Sequence, residues 1–571
     1  MTATGKIIRR ELRGKHQAHI ARNVEHASAL QKKGELAEAQ AVLEGVLEAQ
    51  PKHFSAIFLL GLIAMQTRNM QRAAELFGAA ADIQPDNAPA HCNRGVALAE
   101  LGQFETALAS YDRAVAIKAD YAVAYVNRGN ALRELGCLDA ALSSFDRAVE
   151  INPGIAEAHL NRGGVLRDLG RWDAALASYD RAVEIKPNSA EAHSHRGIVL
   201  KKLGRFDAAL AGYDRAIAIR ADLAEGYLNR GVLFAELGRL DLALPNYDQA
   251  IAIKADFAEA HLNRSLALLL AGHYENAWPG YEWRRRQASA AKGGAHRQPA
   301  LPLWLGKEPL AGKTILLYSE QGLGDTLQFC RYVKLVADLG ARVILDVQPP
   351  LASLLGRLEG VSQMAVAGTP PDADYCCPLL SLPLAFNTRL DSIPSGARYL
   401  RIAPEQVARW QERLGGKTKP RIGLIWTGGA AYQRDRDRSI RLADLIPQLP
   451  SDFQYVSLQK EVRELDRPYL QSNPAILSFA EDQRDFSDAA ALCECMDLVL
   501  SVDTSVAHLS AALGKETWIM LPFIPDWRWM LGRDDSPWYP SAKLYRQRSA
   551  GDWGGVFERV RADLIRHIPG V

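Results

Sequence analysis

The sequence predicts an α superhelix followed by an α/β region with parallel sheets, and three observations predict it. An arginine returns every 34 residues, at Arg94, Arg128, Arg162, Arg196, Arg230 and Arg264. A period of that length marks paired helices stacked as a solenoid. The period dissolves near residue 290, and beyond it short apolar strand-like runs alternate with helical patterns. That alternation implies parallel strands with helices on their faces. Finally, each polar cluster of the second part follows one of those runs, and open α/β sheets bind ligands beyond the carboxyl ends of their strands. At 571 residues the chain is too long for one core.

The bulk composition narrows the function classes. Lys and Arg number 68 against 66 Asp and Glu, a formal net charge of +2, which argues against nucleic acid as a partner. The seven cysteines are odd in number and scattered, without paired Cys-x-x-Cys knuckles, as a reducing compartment predicts. Cys493 and Cys495 fall in an apolar helical run, where packing accounts for them. Residues Met1 to Lys15 lack a secretory pattern, and no run of about 18 apolar residues could span a bilayer. A cytoplasmic location and no transmembrane segment are therefore expected.

Within the repeats, Gly61, Gly95, Gly129, Gly163, Gly197 and Gly231 are also 34 apart. So are Phe77, Tyr111, Phe145, Tyr179, Tyr213 and Tyr247, each set in a Tyr/Phe-Asp-Arg-Ala context or a variant of it. Small residues suit a close helix crossing, and the aromatic is expected to fill the gap between neighbouring repeats. Pro51, Pro85, Pro153 and Pro187 are expected to end the second helix of their units, because proline cannot donate the next hydrogen bond. The pattern resembles the tetratricopeptide repeat. About eight units are expected over 20–291, the first and last degenerate as capping repeats, after a lead helix or tail at 1–19.

One column of the first helices carries Asn93, Asn127, Asn161, Asn229 and Asn263, with His195 standing in once. Amides offer both a donor and an acceptor, so such a ladder suits the backbone of an extended peptide. Bracing of a local turn explains the same residues. The O-linked N-acetylglucosamine transferases are similar here, with an asparagine ladder lining their superhelix. The resemblance implies a protein or peptide partner for the repeats.

A linker is expected at 292–311. A first α/β half at 312–400 holds strands at Thr314–Ser319, Arg342–Gln348 and, weaker, Met364–Ala367. A second half at 401–571 holds strands at Arg421–Trp426, Phe453–Leu458, Leu498–Val502 and Thr517–Leu521, then a helix from Val556 to Ile568. Gly322-Leu-Gly324-Asp325 follows the first strand and places a carboxylate at a helix start, its glycines allowing a tight turn beside a ligand. Asp503-Thr504-Ser505-Val-Ala-His508 follows a later strand. Thr504 and Ser505 would sit at a helix's first turn, where free N–H groups and the helix dipole favour a phosphate, with His508 one turn on. An ordinary N-cap by Asp503 or Thr504 is the plainer explanation of the same residues.

The two motifs in this order resemble the heptosyltransferase-like glycosyltransferases, over about residues 312 to 565. That resemblance implies two facing Rossmann-like halves of GT-B type, the first one short here, with the donor nucleotide in the second. It implies Asp325 as general base, and Asp503, Thr504, Ser505 and His508, with Gly322 and Gly324, around the donor diphosphate. Ser505 stands where the family has glycine. The family's basic residue is best matched by Arg438, in the loop Arg434-Asp-Arg-Asp-Arg438, where a guanidinium can grip two oxygens. A solvated loop of self-paired Arg and Asp is the alternative. Thr427 and Gly428 end one strand and Gln459-Lys460-Glu461 another, Lys460 for the phosphates and Glu461 for the ribose. Trp527, Trp529, Trp538 and Tyr539 are expected to pack against the C-terminal helix rather than to wall a sugar site.

The expectation is thus an inverting, metal-independent glycosyltransferase of hexosyl, heptosyl or N-acetylglucosaminyl type. It would use a nucleoside-diphosphate sugar as substrate and need no cofactor. Asp435 and Asp437 have the spacing of a metal-binding pair, but the arginines around them argue against that role. The alternative is a non-catalytic interaction scaffold with a degenerate transferase domain.

Overall fold

A computed structural model describes residues 3–286, 299–365, 372–396, 398–429 and 435–567, with backbone alone for 3–13. Residues 287–298, Ala367, Arg434 and Ile568, on which parts of the expected linker, strand, loop and last helix fall, lie outside the described residues. The chain divides into two compact units, Met1–Asn229 and Arg230–Val571.

The first unit is built of helix pairs. Ala3–Lys33 pairs with Leu36–Ala49, Phe54–Gln66 with Met70–Ile83, and the series continues to Ala190–Lys202 with Phe206–Ile219. Its period has a local cause. A Cβ at Gly129 would stand 2.7 Å from the Phe145 ring, and one at Gly163 2.8 Å from Tyr179, so only glycine lets the two helices of a repeat close on the aromatic. The aromatic seats against its own repeat's first helix, and Tyr179 also faces the next repeat, its ring 5.8 Å from that of His195. Phe145 and Tyr179 are fully buried, which stabilises each pair by about 1.5–3 kcal/mol.

The arginine column ties repeats together. Arg128 Nε donates to Asp112 of the preceding repeat at 2.6 Å while Nη1 donates to Ser144 of its own at 2.6 Å. Arg162 repeats both bonds with Asp146 and Ser178, at 2.6 and 2.7 Å. The recurring Tyr-Asp thus has two duties, the ring inward and the carboxylate to the next repeat. Proline is not what ends the second helices. Those ending at Ile117 and Ile219 stop at the same place in their repeats as those before Pro153 and Pro187, with no proline following.

In the second unit the last repeat pair, Ala258–Ala271 and Tyr274–Tyr281, is not a solvated cap. Leu268, Leu269, Leu270, Tyr274, Trp278 and Tyr281 are buried in one core with the sheets. Trp278 Nε1 donates to the Thr388 carbonyl at 2.8 Å and Trp538 Nε1 to Tyr274 Oη at 3.0 Å. Polar capping is expected only where a solenoid end meets water, and this end meets protein.

Two parallel sheets follow. The first, ordered β3-β2-β1-β4, comprises β1 Thr314–Tyr318, β2 Arg342–Asp346, β3 Val361–Met364 and β4 Tyr375–Pro378. The second runs β10-β9-β8-β5-β6-β7. Its strands are β5 Arg421–Ile425, β6 Gln454–Ser457, β7 Ile476–Ser478, β8 Leu498–Val502, β9 Thr517–Leu521 and β10 Ala542–Arg546. Numbered from β5, that is the strand order of a doubly wound dinucleotide-binding sheet. Its central strands β5 and β8 are buried along their whole length, as a sheet covered on both faces requires. The order reverses between β5 and β8, and that is where such a sheet opens a crevice.

Strands β4, β7 and β10 are absent from the sequence reading. The described end of the expected linker is packed structure. Trp304 N–H donates to the Cys376 carbonyl and Cys376 N–H to the Pro302 carbonyl, each at 2.9 Å, so this segment lies along β4. The late aromatics also pack differently from expectation. Trp527, Trp529, Trp538 and Tyr539 join the core with the last repeat, while Val556, Phe557 and Val560 of the helix Trp553–His567 pack with Trp518 and Tyr545 on the other face.

Candidate functional site

A cleft of about 900 Å³ opens at the carboxyl ends of both sheets. It is lined by Gly322–Asp325 after β1, Thr427–Gly429 after β5, Gln459–Arg463 after β6, Asp503–Val506 after β8 and Asp526–Arg528 after β9. All twelve predicted site residues of the two α/β halves, including Arg438, Lys460, Glu461 and His508, line this one cleft. Leu262, Leu266, Tyr281 and Arg284 of the last repeat form another part of its wall.

Gly322 is the N-cap of the helix Leu323–Phe329 and donates its N–H to Asp325 Oδ2 at 2.8 Å. Gly324 is needed for a close approach. A Cβ there would stand 2.9 Å from the His508 ring, where this helix packs on Ser505–Ala512. The tight turn expected of this glycine is therefore a helix contact across the cleft floor.

Thr504 is the N-cap of the helix Ser505–Ala512, its hydroxyl accepting from Ala507 N–H at 3.4 Å and lying 3.1 Å from Ser501 Oγ. That hydroxyl is occupied within the protein. What the helix start offers a ligand is its backbone, because the first-turn N–H groups of Ser505 and Val506 have no intrahelical acceptor, and the dipole adds positive potential there. Ser505 is half-exposed to the cleft.

His508 is buried, 2.9 Å from the Tyr539 hydroxyl through Nδ1 and stacked on Trp529 with ring centroids 5.2 Å apart. Burial first, then Arg528, Arg331 and Arg438, hold it well below the ordinary histidine range, so the ring is neutral. Its Nε2 lies 3.9 Å from Asp503 Oδ1. The ring thus stands between a hydroxyl at Nδ1 and a carboxylate facing Nε2. Burial, with Asp526 nearby, pushes Asp503 up to about 6.

Arg438 donates from Nη1 to the Asp503 carbonyl at 2.6 Å and from Nε to Asp435 at 3.3 Å. The predicted phosphate grip is thus engaged with protein. The self-pairing of Arg and Asp given as the alternative is present in Arg438 and Asp435, but the pair is not solvated, because Asp435 is buried between Arg438 and Arg463. Arg438 holds the peptide that begins the Asp-Thr-Ser turn. Lys460 Nζ donates to the Arg484 carbonyl at 2.8 Å, and Glu461 is exposed at the rim. Thr427 Oγ1 and Gln483 Nε2, both buried and both on cleft-lining residues, have no partner among the described residues. A buried polar atom so placed costs about 1–3 kcal/mol, which a polar ligand would offset.

Arg528, Asp526, Arg463 and Gln483 escaped the sequence reading. Arg528 pairs with Asp325, and also with Asp526 at 2.8 Å. Its signal was an arginine set between two tryptophans just past a strand end, in a run expected to pack rather than to wall a sugar site.

The Asn column serves packing at three of its five positions. The Nδ2 of Asn161 donates to Asn130 at 2.9 Å, that of Asn229 to Ser194 at 3.4 Å, and that of Asn127 reaches Cys92 Sγ at 3.8 Å, each on the first helix of the preceding repeat. Asn93 and Asn263 are likewise half-buried.

Comparison with known proteins identifies the repeats. Family profiles described as tetratricopeptide or TPR repeat match residues 24–88, 76–109, 97–136, 122–154, 163–204, 199–238 and 228–282. These residues are tetratricopeptide repeats, and such repeats typically bind peptides or proteins. Protein FlbA of Caulobacter vibrioides is 26% identical over 294 residues, 46% of this chain and 48% of that protein. The chain thus spans about half the length of the curated relative it matches. Among solved structures, YrrB, described as a TPR protein with an unusual peptide-binding site, is 29% identical over 33% of this chain and 97% of its own, with a TM-score of 0.29. TTC0263, a thermophilic TPR protein of Thermus thermophilus, is 25% identical over 32% of this chain and 99% of its own, with a TM-score of 0.28.

Proposed function

We propose that the cleft binds a nucleoside-diphosphate sugar and that the protein is an inverting, metal-independent glycosyltransferase, its repeats engaging a protein or peptide acceptor. The observation that carries this reading is the meeting of three features. Asp325, a free helix N-terminus and unpartnered buried polar atoms face one cleft at the reversal point of a doubly wound sheet. Asp325 takes the proton of the acceptor hydroxyl as that oxygen bonds to the anomeric carbon. The bond from that carbon to the diphosphate breaks, and the first-turn N–H groups after Thr504 stabilise the departing charge.

One observation favours a second reading, an interaction scaffold without turnover. Both oxygens of Asp325 are already engaged, one by the Gly322 N–H and one by Arg528.

Calorimetric titration with UDP, GDP and ADP separates the readings, with Asp325→Asn beside the native chain. Micromolar binding of one nucleotide, kept within a few-fold by the variant while consumption of the matching nucleotide sugar falls about 10²–10⁴-fold, is the expected result. No binding by folded protein removes the transferase reading. Binding without consumption leaves the scaffold.

A further inference from the structure

We propose that Arg528 is the positioning residue for Asp325, a buried guanidinium that holds the carboxylate in register and serves the leaving diphosphate once Asp325 takes up the acceptor proton. The inference rests on the transferase reading above.

Each nitrogen of Arg528 has a partner. Nη2 meets Asp325, Nη1 donates to Asp526 at 2.8 Å, and Nε donates to Gln328 Oε1 at 2.6 Å. The face of the group lies over Trp527 at 4.5 Å and Phe329 at 5.8 Å. Asp325 and Gln328 stand one turn apart on the helix after β1, and Asp526 follows β9, so this cation joins the two sheet halves at the cleft. Gln328 is fully buried and leaves its Nε2 without a partner among the described residues while its Oε1 serves Arg528. The fold tolerates an orphaned donor to keep this guanidinium in place.

Its chemistry follows from the neighbours. The groups facing Asp325 are Arg528 and Asp526 from the loop after β9, Tyr281 from the last repeat, and the neutral His508 beyond Gly324. Burial is the largest influence on the Asp325 carboxyl and raises it, and the net direction is upward. Arg528 opposes that, while Asp526 adds to it. When Asp325 accepts the proton, the Asp325–Arg528 pair loses its negative member. Arg528 then carries charge no longer matched by Asp325, in the cleft where the diphosphate departs. The same guanidinium already influences Asp503 and His508.

The test uses the full chain with UDP-glucose, GDP-mannose and ADP-glucose as probes and water as the acceptor whose proton Asp325 takes, following nucleotide release against pH. Because the base must be ionised, the rate climbs with pH through the Asp325 midpoint. Arg528→Gln should lower the rate at pH 7 about 100-fold and move the acidic limb to higher pH. Arg528→Lys should recover part of both. Asp526→Asn, which removes the second negative charge beside Arg528 and Asp325, should move the limb to lower pH. Opposite displacements in two variants that melt as the native chain does are outside what a purely structural role produces. Unchanged limbs in the folded variants, or limbs moving the same way, overturn the assignment while leaving the transferase reading intact. Failure of the native chain to bind any nucleoside diphosphate removes both.

Discussion

The repeat unit and the cleft use the same two devices, a glycine pressed on a ring and an arginine paired with an aspartate, to opposite ends. In the repeats the Arg162–Asp146 pair leaves its side chains 30% and 42% exposed, and the bond recurs in the next repeat. In the cleft the Arg528–Asp325 pair leaves 7% and 18%. Water screens the first kind, so each pair contributes little and redundancy does the rest. The second kind sits where an uncompensated charge is costly, so its geometry controls a protonation state. Repetition makes a device structural, whereas burial beside a cavity makes it chemical.

The largest effect expected comes from the glycines. Gly324→Ala places a methyl 2.9 Å from His508, and Gly163→Ala places one 2.8 Å from Tyr179. Both should destabilise by about 1–3 kcal/mol through overpacking, read as lowered melting temperature. Only Gly324→Ala should also weaken nucleotide binding, by tenfold or more. Equal binding losses in both variants would erase the distinction drawn here.

A smaller effect concerns Asp503, whose folded value of about 6 lies above its unfolded one of about 3.9. For an acid raised on folding, the favourable contribution is complete below the unfolded value and is lost as pH rises through about 6. Asp503→Asn should therefore match the native chain in stability near pH 4 and exceed it at pH 8 by at most about 3 kcal/mol. Melting scans across that range check it, and a gap that narrows with rising pH contradicts an Asp503 carboxyl raised by burial.

The smallest effect should be Arg162→Ala. Loss of one exposed inter-repeat pair should cost about 1 kcal/mol or less and shrink further in high salt. A cost several times larger would mean that the repeats, too, depend on single charges.

The second part was legible where strands end in distinctive residues. Gly322 to Asp325 and Asp503 to His508 follow β1 and β8 as read, because a helix must start where a crossover begins and its first turn needs small polar residues. Strands β4, β7 and β10 were not legible. Two span only four and three residues, and β10 interrupts its apolar run with Lys543 and Arg546, so none carries a periodicity long enough to stand out from loops. The partners of Arg438, Arg528 and His508 were equally hidden, lying 65, 203 and 31 positions away in the chain.

By itself the sequence determined the solenoid and the clustering of polar residues at strand ends, because both depend on near neighbours. A 34-residue period repeats one local contact between a glycine and an aromatic, and a strand-to-helix turn is a matter of a few residues. Only the tertiary structure decided which charges are spent and which remain available. It placed Arg438 on a backbone carbonyl, Arg528 between two aspartates and the last repeat in the wall of the cleft. Those outcomes depend on which distant segments share one desolvated space, and spacing along a chain does not encode desolvation.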